Sequence, residues 1–175
     1  DTRDEKAYPI VKIGTQTWMA ENLAFKTWSG SCFYDNDELK GMLFGRLYTW
    51  NAAKEACPTG WHLPDDSDWK ILIEFVGENP CYKLKSDVGF WPDGLYGNDT
   101  FKFSVFGSGH RSNNSYNDFA KNAWFWSSSP ITSSSGWGSA ITFVCNADAG
   151  KGGIKVLRGN HEGSTYSSVR CIKDE

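Results

Sequence analysis

The chain has 175 residues, a formal net charge of -3 and 22% charged residues. A chain of this length can bury a sizeable core, so we expect residues 1–175 to form a single domain. No basic run suits nucleic acid or a lipid surface, and no apolar run approaches the roughly 20 residues of a membrane span. We therefore expect no nucleic-acid partner and no direct membrane insertion.

Aromatic residues are unusually frequent: the chain has nine Trp, eleven Phe and seven Tyr beside eighteen Gly. Aromatic side chains mixed with Gly, Ser and Asn are typical of loop-rich or all-β folds, and also of recognition surfaces. We expect most of these aromatics to form the core and the rest to be available for binding.

The N-terminal region reads as a hairpin. Residues 8–13 predict a strand, Gly14-Thr15 is a two-residue turn signal, and residues 16–19 predict the returning strand. Residues 26–44 are polar and contain Asp35, Asp37 and Glu38. These carboxylates could hold calcium, but their spacing fails the EF-hand pattern, which favours a solvated loop.

Two short amphipathic helices are predicted next, over about 48–56 and 65–77. In the first, the apolar stripe consists of Trp50, Ala53 and Cys57, and Pro58 ends the helix. In the second, Asp65 is placed to cap the helix with Asp68 as its capping-box partner. Its apolar stripe comprises Trp69, Leu72, Ile73 and Val76.

Residues 78–122 show no helical periodicity and predict long ordered loops with a few short strands. Polar residues of this stretch could hold a structural calcium, although a plain polar loop also explains them: Asp87, Asp93, Asn98 and Asp99. The remaining apolar runs predict strands of an antiparallel meander: 123–127, 140–144, 154–158 and 166–172.

Five widely spaced cysteines are present, at 32, 57, 81, 145 and 171. Without Cys-x-x-Cys pairs, a zinc site is not expected. A bridge between Cys57 and Cys171 would close a long loop, and disulfides imply export from the cytoplasm. The odd number leaves at least one thiol unpaired within the chain.

Blocks along nearly the whole chain resemble the Fibrobacter succinogenes major paralogous domain, often called FISUMP. The blocks that carry the resemblance are 11–23 (Val-Lys-Ile-Gly-Thr-Gln-Thr-Trp-Met-Ala-Glu-Asn-Leu), 45–50 (Gly-Arg-Leu-Tyr-Thr-Trp), 57–64 (Cys-Pro-Thr-Gly-Trp-His-Leu-Pro), 84–86 (Leu-Lys-Ser), 126–128 (Trp-Ser-Ser) and 168–171 (Ser-Val-Arg-Cys). The resemblance implies an α+β, C-type lectin-like fold: two short helices packed on antiparallel sheets with long ordered loops. It also implies the shared disulfide of that fold, Cys57–Cys171.

Catalysis is not expected. A nucleophilic cysteine would need a neighbouring histidine, and His62 is interpreted as a packed structural residue of the Trp-His-Leu-Pro corner. Formylglycine-generating enzymes share the implied fold but use two neighbouring cysteines near its end, and Cys171 has no such neighbour. No paired carboxylates, phosphate loop or His-Glu metal motif is present, so we expect no metal site and no cofactor apart from the structural calcium considered above.

Calcium-dependent sugar binding has little support. C-type lectins of that type use Glu-Pro-Asn and Trp-Asn-Asp segments. Glu78-Asn79-Pro80 has similar letters but directly follows the second helix, and no Trp-Asn-Asp occurs.

The segment from Ile131 to Tyr166 is the candidate binding face. It mixes aromatic anchors with small polar residues, as antibody-like paratopes do. The predicted ligand-binding residues are Trp137, Phe143, Asn146, Asp148, Lys151, Leu157, Arg158, Asn160, His161 and Tyr166. An ordinary meander with solvent-facing polar residues is the competing interpretation.

The sequence therefore predicts a secreted or bacterial cell-surface binding or adhesion module that presents this face to a protein receptor or surface glycan. The segment is also similar to the retroelement-diversified region of some proteins of this fold. The alternative functions are a polysaccharide-binding module and an assembly domain without a ligand of its own.

Overall fold

The computed structural model describes residues 1–88, 91, 96–130, 138–144, 154–157 and 164–175, with the backbone alone for 138–144 and 154–157. The protein is α+β. The described residues form four α-helices, one 3-10 turn and twelve strands.

The predicted N-terminal hairpin is confirmed. β1 (Ile10–Ile13) pairs antiparallel with β2 (Gln16–Met19), and Ile13 lies opposite Gln16. Gly14 occupies the turn with φ of 61°, a conformation that glycine adopts without strain. The Gln16 side chain accepts from the Trp18 indole and donates to the Asp68 carbonyl, which ties the hairpin to a later helix.

The prediction of a solvated loop over 26–44 is wrong in its second half. After β3 (Ser31–Cys32) comes a 3-10 turn (Tyr34–Asn36) and then α1 (Glu38–Phe44). Asp37 caps α1 by accepting from the backbone amides of Leu39 and Lys40. Gly41 in the middle of these seven residues lowers the helix propensity, so the local pattern does not favour a helix.

The two predicted amphipathic helices are confirmed as α2 (Trp50–Ala56) and α3 (Asp66–Val76). β4 (Leu47–Tyr48) precedes α2, and β5 (Trp61–His62) lies between the helices. The capping box forms as expected: the Asp65 carboxylate accepts from the Asp68 amide at 2.8 Å, and the Asp68 carboxylate accepts from the Asp65 amide at 2.9 Å.

The expectation of only two helices is corrected by α1 and by α4 (Pro80–Leu84), which lies in the stretch predicted to be loop. Pro80 starts α4, where its missing amide hydrogen costs nothing. The Lys83 ammonium donates to the Val76 carbonyl at the end of α3, so the two helices are joined end to end. Five residues carry no helical period that a sequence reading could detect.

The later strands form two sheets. They are β6 (Ser108–Ser112), β7 (Ser115–Phe119), β8 (Asn122–Pro130), β9 (Gly138–Val144), β10 (Ile154–Leu157), β11 (Ser167–Ser168) and β12 (Ile172–Lys173). One sheet has the order β1-β2-β12-β5. The other has the order β10-β9-β8-β11-β4-β3, with β6 paired to β8 and β7 paired to β6.

The predicted meander is confirmed for β8, β9 and β10, which pair antiparallel in chain order. Its last strand is a correction, because residues 166–172 divide between the sheets. β11 lies on the other side of β8, parallel to it, with Ser168 opposite Phe125. β12 instead joins the N-terminal hairpin and β5. Between β11 and β12 the chain passes from one sheet to the other, and Arg170 and Cys171 in this connection are both fully buried.

Two apolar clusters fill the interior. The first surrounds α3 and includes Trp18, Trp69 and Phe103. The second lies against α2 and the disulfide and includes Tyr48 and Trp126. The Trp126 indole donates to the Tyr48 carbonyl, so this large side chain is buried with its polar atom satisfied.

Arg170 joins the two clusters although it is a buried charge. Its guanidinium donates to the Asn22 side-chain oxygen through Nε and Nη2, and to the Met19, Phe103 and Ser104 carbonyls. The guanidinium group also lies over the Phe103 ring, with its Cζ atom 4.7 Å from the ring centroid. Burial lowers the pKa of Arg170 to about 9, so the group stays protonated at neutral pH. All five N–H groups therefore have acceptors, which offsets the loss of hydration.

The predicted disulfide is confirmed. Cys57 at the end of α2 is bonded to Cys171, across a separation of 114 residues. Among the described residues Cys32 is a free thiol and Cys81 is buried in the first apolar cluster, and Cys145 lies outside them.

Candidate functional site

Most of the predicted ligand-binding residues lie outside the described residues: Trp137, Asn146, Asp148, Lys151, Arg158, Asn160 and His161. Three can be placed. Phe143 is in β9, opposite Ala123 of β8 on one side and Ile154 of β10 on the other. Leu157 is in β10, opposite Ala140. Because β10 comes last in the strand order, Leu157 lies on an edge strand of its sheet.

Tyr166 is described in full, and it contacts a part of the chain that the sequence reading did not assign to the site. Its backbone forms an isolated antiparallel bridge with Arg111 of β6, with N–O distances of 3.0 and 2.8 Å. The Arg111 guanidinium lies 4.7 Å from the centroid of the Tyr166 ring and 5.6 Å from that of Tyr116 on β7. The cation is therefore held between two half-buried aromatic rings.

His110 and Trp124 form a second pair beside Arg111. Their ring centroids are 4.5 Å apart. The Trp124 indole donates to the Asp118 carboxylate at 3.1 Å, and His110 Nδ1 lies 3.5 Å from the same oxygen. Burial lowers the pKa of His110, and the Asp118 charge opposes that shift.

We call this group the hairpin cluster, because the β6–β7 hairpin supplies most of it. It consists of His110, Arg111, Tyr116, Trp124 and Tyr166. Arg111 Nε is buried and has no hydrogen-bond acceptor among the described residues, and buried His110 Nδ1 has only the Asp118 carboxylate oxygen at 3.5 Å. The cluster therefore combines aromatic area, a cation and unused hydrogen-bonding capacity.

The hairpin cluster borders the predicted face at two points. Trp124 belongs to β8, where it lies opposite Thr142 of β9. The Ser164 hydroxyl donates to the Asn113 side-chain oxygen in the β6–β7 turn, so the chain that returns from the predicted face is anchored on this hairpin.

Cys32 contacts this region from the opposite end of the sheet. The pKa of Tyr116 is raised to about 12. Burial is the main cause, and the charge of Cys32 and its hydrogen bond to Tyr116 contribute less. The Tyr116 hydroxyl therefore stays protonated at physiological pH and can donate a hydrogen bond.

The interpretation of His62 as a packed residue is wrong. Its ring is exposed and lies between two carboxylates, with Nδ1 2.7 Å from Asp174 and Nε2 3.4 Å from Asp68. The residue is at the surface because its strand β5 is the edge of its sheet.

The acidic residues considered for calcium have local roles. Asp37 caps α1, and Asp35 pairs with Lys40. Buried Asp99 accepts from the Ser104 amide and hydroxyl, while Asp87 lies 3.4 Å from the Lys102 ammonium. Asp93 lies outside the described residues. Within the part of the chain that is described, no group of three or more His, Cys, Asp or Glu residues is arranged to hold a metal ion.

Comparison with known families identifies the chain. Residues 11–173 match the model of the Fibrobacter succinogenes major domain. The chain belongs to this family. No curated protein and no solved structure matches it. None of the described helices of this Fibrobacter succinogenes major domain is long and apolar enough to cross a membrane.

The hairpin cluster of this family member was not predicted, although the sequence contains a local signal for the β6–β7 hairpin. Asn113-Asn114 is a two-residue turn in which both residues have positive φ, and it connects β6 to β7. Asparagine is enriched at such positions, so the turn predicts a hairpin. The contact of this hairpin with Tyr166 has no signal in sequence spacing, because more than fifty residues separate the partners.

Proposed function

We propose that this chain is an extracellular binding module that recognises a protein receptor or a surface glycan, without catalysis. The observation that carries the proposal is the hairpin cluster at the border of the predicted face. Tyr, Trp and Arg dominate the energetics of interfaces because they bring large area and fixed hydrogen-bonding geometry. In the hairpin cluster an Arg is already held between two Tyr rings, so little side-chain entropy remains to be lost on binding.

The protein partner is the first choice. A protein surface offers carboxylates and carbonyls to Arg111 and apolar area to the neighbouring rings. We propose that the residues from Ile131 to Tyr166 supply the rest of the contact, and that the framework holds them in place. A polysaccharide ligand for this same face is the alternative.

We further propose a C-type lectin-like fold. The support is the family membership together with three features of the protein. A disulfide joins the end of α2 to the chain before the last strand, two amphipathic helices pack on the sheets, and β12 pairs with the N-terminal β2. In such a fold the binding residues lie on strands and loops at the end of the chain.

Secretion or display on a bacterial surface is proposed from the Cys57–Cys171 disulfide, since disulfides persist in oxidising compartments. The diversified-protein hypothesis belongs to the same proposal. Alleles from related strains provide its test: substitutions concentrated between Ile131 and Tyr166 would support it, and uniform variation would contradict it.

The binding proposal is tested with the purified chain on a cell-surface protein extract and on a glycan array, followed by affinity measurement on the ligand found. Arg111→Ala and Trp137→Ala should each weaken binding by about thirtyfold or more, because hot-spot truncations cost upwards of roughly 2 kcal/mol. The matched control is Lys70→Ala, which removes an exposed cation from α3 and should bind like the wild type.

The chemical class of the captured ligand distinguishes the protein receptor from the glycan. Capture of a protein that survives deglycosylation supports the receptor, whereas signal on the array alone supports the glycan. Unchanged affinity in both variants would contradict the placement of the face.

A further inference from the structure

A second binding feature lies away from the hairpin cluster, on the loop that follows the N-terminal hairpin. Trp28 has a relative exposure of 103%, so its whole indole is in water. Single exposed apolar residues are common on proteins, but a fully exposed Trp leaves the largest of all side chains without a contact. The residues around Trp28 determine whether its exposed indole can bind a ligand.

Trp28 stands at a cleft of about 380 Å³. The other lining residues are Phe25, Thr27, Ser29, Thr49, Asn51, Ala52 and Glu55. This volume lies in the range of small-ligand sites, about 300–1,000 Å³. The lining combines two aromatic rings with three hydroxyls, an amide and a carboxylate.

The loop that carries Trp28 is fixed to α2. The Thr27 hydroxyl donates to the Ser29 carbonyl at 2.8 Å, which closes the turn around Trp28. The Thr49 amide donates to the Gly30 carbonyl at 2.8 Å. Gly30 has φ of 75°, and a Cβ there would lie 2.6 Å from the Thr49 hydroxyl oxygen. Only glycine permits this approach, so the indole projects from an anchored turn.

Two polar side chains of the cleft, Asn51 and Glu55, are available to a ligand, whereas the Thr27 and Thr49 hydroxyls already take part in hydrogen bonds. Asn51 and Glu55 are exposed and four residues apart, hence on the same face of α2. Among the described residues neither has a hydrogen-bond or ion-pair partner. The neighbouring cation, Lys54, lies instead over the Trp50 ring, 4.0 Å from its centroid.

We propose that the Trp28 cleft is a binding site for a neutral glycan. The C–H face of a pyranose ring carries partial positive charge and stacks on the negative face of an indole. Sugar hydroxyls both donate and accept, which suits the hydroxyls, the Asn51 amide and the Glu55 carboxylate. Glu55 is the only charged residue among the eight that line the cleft, so an acidic sugar would meet a like charge.

The site is independent of the proposed function, since none of its residues belongs to the hairpin cluster. Isothermal titration of the wild type should detect at least one of three neutral probes: the β-1,4-linked hexasaccharides of glucose, xylose and mannose. A galacturonic acid hexasaccharide, the acidic counterpart, should give no binding.

Variants locate the binding. Trp28→Ala should raise the Kd by about tenfold or more, because stacking area is lost, and Trp28→Phe should restore part of it. Asn51→Ala should weaken binding to a smaller extent. Tyr82→Ala is the matched control, an exposed aromatic on α4 outside the cleft, and should bind like the wild type. Trp28→Ala should also keep the wild-type Tm, since the side chain makes no packing contact.

Three results would overturn the proposal: no heat with any neutral probe at millimolar concentration, equal affinity for the acidic probe, or unchanged affinity in Trp28→Ala. Arg111→Ala separates the two sites. Glycan binding that survives this substitution belongs to the Trp28 cleft, whereas glycan binding abolished by it belongs to the hairpin cluster and also refutes the cleft.

Discussion

Arg170 is a buried cation whose hydrogen bonds all go to uncharged oxygens. Arg170→Lys keeps the charge but has three donors in place of five, so acceptors on Asn22 and the surrounding backbone would be left unsatisfied. We expect a loss of about 3–5 kcal/mol in the free energy of unfolding, measured by urea denaturation. The control is Arg46→Lys, at a half-buried arginine with one such bond, which should cost about 1 kcal/mol. A small effect in both variants would mean that the guanidinium geometry does not matter.

His110 should make stability depend on pH. Because burial lowers its pKa in the folded state, the unfolded chain binds a proton first as the pH falls below about 6.5. The free energy of unfolding should therefore decrease between about pH 6.5 and the lower folded-state pKa, and His110 should contribute nothing above that window.

The measurement for His110 is chemical denaturation of the wild type and of His110→Gln at several pH values. The difference between the two proteins isolates this histidine from other groups. A difference that stays constant from pH 7.5 to 5 would show that His110 has the same pKa in both states.

At the scale of elements, α3 depends on its capping box. Asp65→Ala removes the acceptor for the Asp68 amide and should cost about 1 kcal/mol of stability, measured by thermal or urea unfolding. Ser67→Ala, a change in the same turn at an exposed position, should lie within about 0.5 kcal/mol of the wild type. Equal losses at both positions would show that the Asp65 carboxylate contributes nothing specific as a cap.

Elements with local signals were predictable. The hairpin turn at Gly14, the cap at Asp65 and the stripes of α2 and α3 each lie within about a dozen residues, where spacing determines which side chains meet. Helix α4 was missed because five residues do not establish a period, and α1 was missed because Gly41 lowers its helix propensity. The split of residues 166–172 was missed because it depends on pairing with β8 and with β2, more than a hundred residues away in the second case.

Only one of the two chain segments that form the candidate site could be predicted from the sequence. Composition indicates the segment that ends at Tyr166, but its partner Arg111 lies in the stretch 78–122, for which the sequence predicts long ordered loops with a few short strands and no site. Trp28 gave no signal either, since a sequence does not show which of nine tryptophans is left outside the core.

At the scale of the whole molecule, the Cys57–Cys171 bond restricts the unfolded chain. For a separation of 114 residues, the chain-entropy model gives about 4–5 kcal/mol of stabilisation. The double variant Cys57→Ala/Cys171→Ala should lose about this amount in urea denaturation. Reducing agent should destabilise the wild type similarly and leave the double variant unchanged. A further loss in the variant under reduction would implicate another bond.

The position of β11 and β12 has a consequence for biosynthesis. Each strand lies in the interior of its sheet: β11 between β8 and β4, and β12 between β2 and β5. A nascent chain on the ribosome would therefore remain unfinished in both sheets until residues 164–173 emerge. Because β8 and β11 are neighbours, the stretch between them begins and ends at one location. We therefore expect insertions and deletions in this stretch to leave β8 and β11 paired, because neither end of the stretch has to move.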